Sequence, residues 1–378
     1  MQYSRNNYGA LLQAAALESC VRSILPNATV EHIDARPVRL KEPSAKTRLE
    51  LLAKRYLGGL LGRSPKMPQI GNYEVFSGFR SQHLQLTDKA YFEYADFENE
   101  NWDYDCVIVG SDQVFRIKFL KQRVPIFFLR FLPESCRRIA YAASFGVDHW
   151  EGANDPKLTT EVGHDLKKFD SLSVRESSGV DICAKTFGLR ATHVLDPTLL
   201  IGREYFDSII DWDAPHTHGS DWSLHCISED AKYIDLVPEL AQQRGKEIKD
   251  IFFAKSQKWP MPARIQFSSV PEWLAKIRQT KDLVLTDSFH CVCFSILFEK
   301  DFLVFVSEHK GPGRMLSLLG ALGLEDRICT SRESLEAAAE GSSPINYELV
   351  RERLSEMRAA SFVYFSDALK GVARTQEA

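Results

Sequence analysis

No stretch of the 378-residue sequence approaches the roughly 20 consecutive apolar residues that a bilayer-spanning helix needs. The opening Met1-Gln2-Tyr3-Ser4-Arg5-Asn6-Asn7 lacks the apolar core of a secretory signal. Paired cysteines are missing too. The eight cysteines are scattered without a CxxC spacing, which argues against a disulfide framework and leaves reduced thiols in a cytoplasmic protein as the expectation. Positive charge is not in excess: 47 Lys and Arg stand against 51 Asp and Glu, a net charge of -4, so no nucleic-acid partner is expected. No Walker loop, GxGxxG fingerprint, internal repeat or low-complexity tract occurs, which removes nucleotide cradles of those kinds.

What is present is an ordinary globular composition, 44% hydrophobic and 26% charged, in a chain longer than one core usually organises. Two domains are the expectation. Short β-branched runs alternate with helical patterns, the mark of parallel α/β sheets. Leu11, Leu12, Ala15, Ala16, Cys20, Val21 and Ile24 recur at helical spacing and predict a helix from Tyr8 to Ile24. A first set of strands is expected at Cys106–Val109, Ile139–Ala143, Ser171–Val174 and Thr192–Leu195. A second follows at Ser223–Ile227, Ile248–Phe253, Leu283–Thr286 and Phe302–Val306, with helices such as Tyr233–Arg244 and Pro271–Gln279 between them.

Asp196-Pro197 closes the first set, and Trp212 to Trp222 reads as a connection. The expected division is an N-terminal Rossmann-like domain over 1–205, a second over 206–345, and a terminal helical segment over 346–378. Residues 36–66 form a basic insertion, nine Lys or Arg interleaved with leucines. It reads either as a solvated amphipathic insertion or as a peripheral membrane contact at an anionic surface.

Four strand ends carry small polar residues before a helix or turn, where open α/β sheets bind ligands. They are Asn7-Tyr8-Gly9, Gly110-Ser111-Asp112-Gln113, Ser144-Phe145-Gly146 and Thr286-Asp287-Ser288-Phe289-His290. Together with their surroundings they resemble the polysaccharide pyruvyl transferase family. The strings that carry the resemblance are NYGALLQAAAL, WDYDCVIVGSDQVF, RIAYAASFG, SLSVRESSGVDI, VLDPTLL, EWLAKIRQTKDLVLTDSFH, FSILFEKDFLVF and RMLSLLGALGLEDRI. They span nearly the whole chain in order, and VGSDQV with TDSFH is the most specific pair.

The resemblance implies two Rossmann-like domains facing across a cleft, similar to the GT-B arrangement. It also implies phosphoenolpyruvate as donor and a hexose hydroxyl pair of a capsule, exopolysaccharide or cell-wall glycan, free or lipid-linked, as acceptor. Such a ketal transfer needs an acid, a base, and cations for a phosphate and a carboxylate, and it requires no cofactor or metal.

His290 is the first candidate for proton exchange, with Asp287 and Asp112 as further catalytic candidates. Arg314, Lys310 and Arg175 suit an anionic donor, and Ser288 stands beside them. Ser111, Gln113, Asn7, Tyr8, Gly9 and Ser144 are expected to line the site, the acceptor lying toward the first domain. Each has a structural alternative: helix capping for Asp287, Ser288, Asp112 and Asn7, an ion pair for Arg175, a surface loop for Arg314.

Two departures from the family pattern stand out. A full strand is expected before Asn7-Tyr8-Gly9, so the first sheet here lacks it or draws it from elsewhere, through truncation or a misplaced start. Cys291 stands where glycine is expected, and Cys291-x-Cys293 reads as thiols packing a buried helix rather than a metal pair. The alternatives that keep the fold are a glycosyltransferase using a nucleotide sugar and a non-catalytic relative that binds a glycan or a partner.

Overall fold

The computed structural model describes residues 7–37, 69–72, 74–210, 212, 219–226, 236–253, 264–306 and 313–373. From residue 38 on, the basic insertion lies outside the described residues, as does Lys310. The chain opens with α1 (Tyr8–Ile24), whose Asn7 side chain caps it by accepting from the Ala10 N–H. Strand β1 (His32–Ala35) follows, then β2 (Gln69–Gly71), α2 (Glu74–His83) and β3 (Leu86–Tyr91), which pairs in parallel with β1.

The first larger sheet contains β4 (Cys106–Val109), β5 (Arg137–Ala143), β6 (Ser171–Val174) and β7 (Thr192–His193), all parallel and in chain order. Helix α3 (Pro156–Leu166) connects β5 to β6, α4 (Ser177–Phe187) connects β6 to β7, and α5 (Pro197–Ile201) follows β7. Val107 and Val109 pack into one core while Cys106 and Ile108 pack against another, so both faces of the sheet are covered.

The second half contains β8 (Trp222–Cys226), α6 (Leu236–Gln243), β9 (Ile248–Phe253), β10 (Arg264–Gln266), α7 (Val270–Gln279), β11 (Leu283–Thr286) and α8 (Phe289–Leu297). Then come β12 (Phe302–Phe305), α9 (Gly313–Leu322), β13 (Ile328–Cys329), α10 (Arg332–Gly341) and α11 (Tyr347–Ala373). Five of these strands form a parallel sheet in the order β13-β12-β11-β8-β9. The mixed α/β fold with two parallel sheets is the one the sequence predicts. Strands β1, β2, β3, β10 and β13 are additions to that expectation. Each is short or, like β3 with Asp88 and Lys89, interrupted by charge, so none has an apolar run to announce it.

Two helices join the halves. The N-terminal part of α1, with Tyr8, Leu11, Leu12 and Ala15, belongs to a core that includes Trp273, Val292 and Phe294 of the second half. Its C-terminal part, with Leu17, Cys20 and Val21, packs with Ile139, Tyr141 and Val194 of the first. Helix α11 does the same in reverse: Val350 and Leu354 lie in the second core, Phe365, Ala368 and Leu369 in the first. Along it, Arg358 Nε donates to the Leu199 carbonyl at 2.9 Å, and Ser361 Oγ accepts from the Leu195 N–H at 2.9 Å. Among the described residues no helix is long and apolar enough to cross a membrane.

Phe365 is fully buried and lies against Tyr141 with ring centroids 4.2 Å apart. Removing a large buried ring loses both its transfer free energy and the packing around it. Phe365→Ala is therefore expected to lower unfolding stability by about 3–5 kcal/mol. Urea denaturation checks this, and a loss under 1 kcal/mol would mean that α11 does not hold the first sheet.

Candidate active site

The second sheet reverses its strand order between β8 and β11, because β8 leads outward to β9 and the chain then returns to β8's other edge. Connections leaving adjacent strands in opposite directions open a crevice at their carboxyl ends, the usual ligand position in open parallel sheets. His225 lies near the end of β8, and His290 stands in the first turn of α8, just past β11. The first sheet has its strands in chain order, so its polar strand ends lie side by side: Ser111 and Asp112 after β4, Ser144 after β5, Arg175 and Glu176 after β6, Asp196 after β7.

Local backbone explains the first of these. Gly110 has φ +139°, and a Cβ there would lie 1.8 Å from the Tyr141 carbonyl oxygen, so only glycine lets β4 end this close to β5. Asp112 adopts a left-handed φ of 64°, a conformation that Asp tolerates better than most residues. The Ser111 N–H donates to Gln13 Oε1 at 3.0 Å, tying the strand end to α1.

Arg175 is the centre of the cluster. One terminal nitrogen donates to Asp196 Oδ2 at 2.7 Å and to Ser111 Oγ at 3.2 Å, and the other donates to Asp112 Oδ1 at 3.2 Å. Asp196 is saturated: Oδ2 also accepts from Ser111 Oγ at 2.6 Å, and Oδ1 accepts from the Thr198 N–H and hydroxyl. The second half meets this network through His290, whose Nε2 lies 3.7 Å from Asp196 Oδ2. That is ion-pair range but beyond a hydrogen bond, and the buried Nε2 has no hydrogen-bond partner among the described residues. Gly9 supports the imidazole from α1: a Cβ there would lie 2.2 Å from its Cγ and Nδ1.

Burial raises the Asp196 carboxyl, but His290, Arg175 and the Ser111 hydroxyl outweigh it and hold Asp196 far below the usual carboxylate range. Asp112 is also held down, burial again being overcome by Arg175, His290 and Arg314. Glu176 goes the other way. Burial raises its carboxyl, and Arg175 and Arg314 only partly offset that. Its Oε1 accepts from the Phe145 and Gly146 N–H groups, at 2.7 and 3.3 Å, while the buried Oε2 has no hydrogen-bond partner among the described residues. His225 is pushed down to about 3 by burial and by His290, so it is neutral, and its Nδ1 accepts from Trp273 Nε1 at 3.1 Å.

Arg314 differs from Arg175. Both guanidiniums lie over the Phe289 ring, Arg175 at 4.4 Å and Arg314 at 5.7 Å from its centroid. Arg175 has two carboxylates, whereas Arg314 makes no hydrogen bond or ion pair among the described residues, and its Nε is buried. Burial and then Arg175 push Arg314 down to about 10, which leaves it charged at neutral pH. Two helix N-termini meet beside it. A Cβ on Gly313, at the start of α9, would lie 3.2 Å from Ser178 Oγ in the first turn of α4, and the Ser177 N–H donates to Ser317 Oγ at 2.9 Å. Their dipoles favour an anion there.

The residues expected from sequence therefore separate into groups. His290, Asp112, Arg175, Ser111 and Gly9 form one cluster, with Arg314 within its electrostatic reach. Gln113 adjoins it, its N–H donating to Asp112 Oδ1 at 2.8 Å. Ser144 is fully buried, its Oγ accepting from the Gly146 N–H. Ser288 and Asn7 cap α8 and α1, and Tyr8 is in the core, stacked on Trp273 and donating to the Ser268 carbonyl. Asp287 precedes α8 with its N–H on the His225 carbonyl, while the ion network runs through Asp196 instead. Asp196, Glu176 and His225 were not among the expected site residues. Their common signal is a single charged or imidazole side chain at the close of an apolar strand run, as in Ser-Val-Arg-Glu and Val-Leu-Asp-Pro.

A family model described as polysaccharide pyruvyl transferase matches residues 7–309. No curated protein matches the chain. Among solved structures it is similar to one titled as the glycotransferase of kitacinnamycin, at 14% identity over 80% of this chain and 90% of that one, with a TM-score of 0.46.

The raised carboxyl of Glu176 has a consequence for stability. A carboxyl whose folded pKa lies above its unfolded value, about 4.3, contributes fully below that value and loses its contribution as pH rises through the folded pKa. The depressed Asp112 and Asp196 act in the opposite window, losing theirs only as pH falls below about 4. Glu176→Gln keeps the amide-accepting oxygen and is expected to flatten the decline of unfolding free energy as pH rises above the unfolded value of about 4.3. Urea titrations at several pH values test this, and parallel wild-type and variant profiles would rule it out.

Proposed function

The chain belongs to the polysaccharide pyruvyl transferase family, and from that premise we propose that it transfers pyruvate from phosphoenolpyruvate to two hydroxyls of a hexose, as a cyclic ketal. The acceptor is part of a capsule, exopolysaccharide or cell-wall glycan, either free or carried on a lipid. The observation that carries the donor reading is Arg314: a charged guanidinium without a carboxylate partner among the described residues, placed where two helix N-termini meet and over the Phe289 ring that His290 adjoins. An anionic donor supplies what this group lacks, a bidentate and charge-assisted acceptor.

In this reading the methylene carbon of phosphoenolpyruvate takes up a proton and becomes the methyl group, leaving positive charge on the carbon that bears the phosphate. A sugar hydroxyl attacks that carbon and gives up its proton. The carbon–oxygen bond to phosphate then breaks, inorganic phosphate leaves with the electron pair, and the second hydroxyl closes the ring and loses its proton. His290 is the group that exchanges protons, since its Nε2 has no hydrogen bond to surrender and Gly9 fixes the ring. Asp112 stays an anion because its carboxyl is held down, so it orients a hydroxyl rather than taking its proton. Arg314 and the two helix N-termini hold the phosphate as charge moves onto it. Asp196 positions both Arg175 and His290.

Thermal shift and phosphate release with phosphoenolpyruvate test the reading. The wild type is expected to melt higher with phosphoenolpyruvate and not with UDP- or GDP-sugars. Arg314→Ala is expected to raise KM for phosphoenolpyruvate by roughly 10- to 100-fold, the worth of hydrogen bonds to a charged group. His290→Ala is expected to keep the melting shift while kcat falls by about 100- to 10,000-fold. Stabilisation by a nucleotide sugar alone would overturn the reading in favour of glycosyl transfer.

A further inference from the structure

We propose that Phe119 is the stacking platform for the acceptor sugar ring; this rests on the reading of the first half as the acceptor side. Phe119 is 56% exposed, in the short helix Ile117–Leu120 that directly follows the strand-end segment Gly110–Arg116. Val114, Phe115 and Leu120 around it are buried, so the exposed ring is an exception among the apolar side chains of its segment. Single exposed aromatics are common and ordinarily call for no explanation. This one is held in place at the edge of the site.

The Arg116 guanidinium covers one face of the ring at 4.1 Å from its centroid. That guanidinium is itself fixed: Nε lies 3.4 Å from Glu151 Oε1, and a terminal nitrogen donates to Gln113 Oε1 at 2.8 Å. Glu151 is buried and also accepts from the Lys118 N–H at 3.1 Å, so the same carboxylate holds the helix that carries the ring. A buried ion network behind an exposed aromatic fixes the ring's orientation before anything binds, which lowers the entropy lost on binding.

Gln113 supplies the second half of the argument. Its side-chain oxygen is taken by Arg116, so its amide group presents N–H donors, and these have no hydrogen bond among the described residues. Its backbone N–H bonds Asp112, whose carboxylate joins Arg175 and thereby Asp196 beneath His290. The path from the ring to the proton-exchanging group is therefore continuous. A pyranose has a flat C–H face that suits an aromatic ring and hydroxyls at its rim that suit an amide donor. Arg116 and Lys118 both face Glu151, at 3.4 and 3.7 Å, so the platform's recognition of a sugar rests on the ring face and the amide donors.

Saturation-transfer NMR with the methyl glycosides of glucose, galactose and mannose, without phosphoenolpyruvate, tests the proposal. The wild type is expected to transfer saturation to the C–H protons of one ring face in at least one hexoside. Phe119→Ala is expected to weaken that binding about tenfold, and Phe119→Trp to retain it. Both variants are expected to keep the melting shift with phosphoenolpyruvate, which shows that they fold and that the donor side is intact. Equal hexoside binding by wild type and Phe119→Ala, or no hexoside bound by the wild type, would overturn the platform. A wild type that binds hexosides through Phe119 but ignores phosphoenolpyruvate would overturn the donor reading and leave the platform standing.

Discussion

The site depends on one buried ion cluster, Arg175 between Asp196 and Asp112. Placing three charges out of water is unfavourable unless each is paired and hydrogen-bonded, and here the geometry meets that condition with Ser111 and Thr198 completing the shell. Such a cluster adds little net stability compared with a well-packed apolar core. What it does is fix the ends of three strands, β4, β6 and β7, against one another. Removing one member would leave a buried charge alone, so the arrangement is effectively all or none. His290 of the second sheet approaches Asp196, which makes the cluster the electrostatic joint between the halves.

Against that rigid joint, Arg314 is a deliberate imbalance. Its charge is balanced only at a distance, by Asp112 and Glu176, and it shares the Phe289 ring with a like charge. A fold optimised only for stability would place a carboxylate within reach of such a group. In the proposed reading, leaving it without one raises the energy of the resting protein, and an arriving anion lowers it again. Glu176, whose carboxyl is raised by burial, fits the proposed reading, because its hold on Arg314 is weaker than that of a carboxylate at the ordinary value.

Much of this was legible in the sequence, and the reasons it was legible are physical. The run Cys106–Val109 is bounded by Gly110, and Leu283–Thr286 by Asp287 and Ser288, so both strands were recognisable and their ends located His290 and Asp112. Pairing was not legible. That Arg175 meets Asp196 and Asp112 follows from strand order, which no local pattern encodes, and Asp196 looked like the close of a strand rather than a partner. Tyr8 shows the opposite error: a polar ring beside a glycine looks like a site residue, yet its hydroxyl is satisfied by Ser268 and its face by Trp273. Short strands such as β2 and β10 left no apolar pattern, because they hold each other by backbone bonds and by the reciprocal pair between Asn72 and Phe267.

The placement of α1 and α11 also bears on how the molecule is made. The first sheet is complete once β7 has been synthesised, but the Ile139 and Tyr141 face stays without its Phe365, Ala368 and Leu369 cover until α11 has left the ribosome. Helix α1, made before either sheet, cannot settle its N-terminal half until Trp273 and Phe294 exist. Helices α1 and α11 thus complete their packing late, and the part of the first-half face that Phe365, Ala368 and Leu369 cover stays bare until α11 is made. A chaperone that shields that face during translation would protect an apolar surface that the order of synthesis leaves bare.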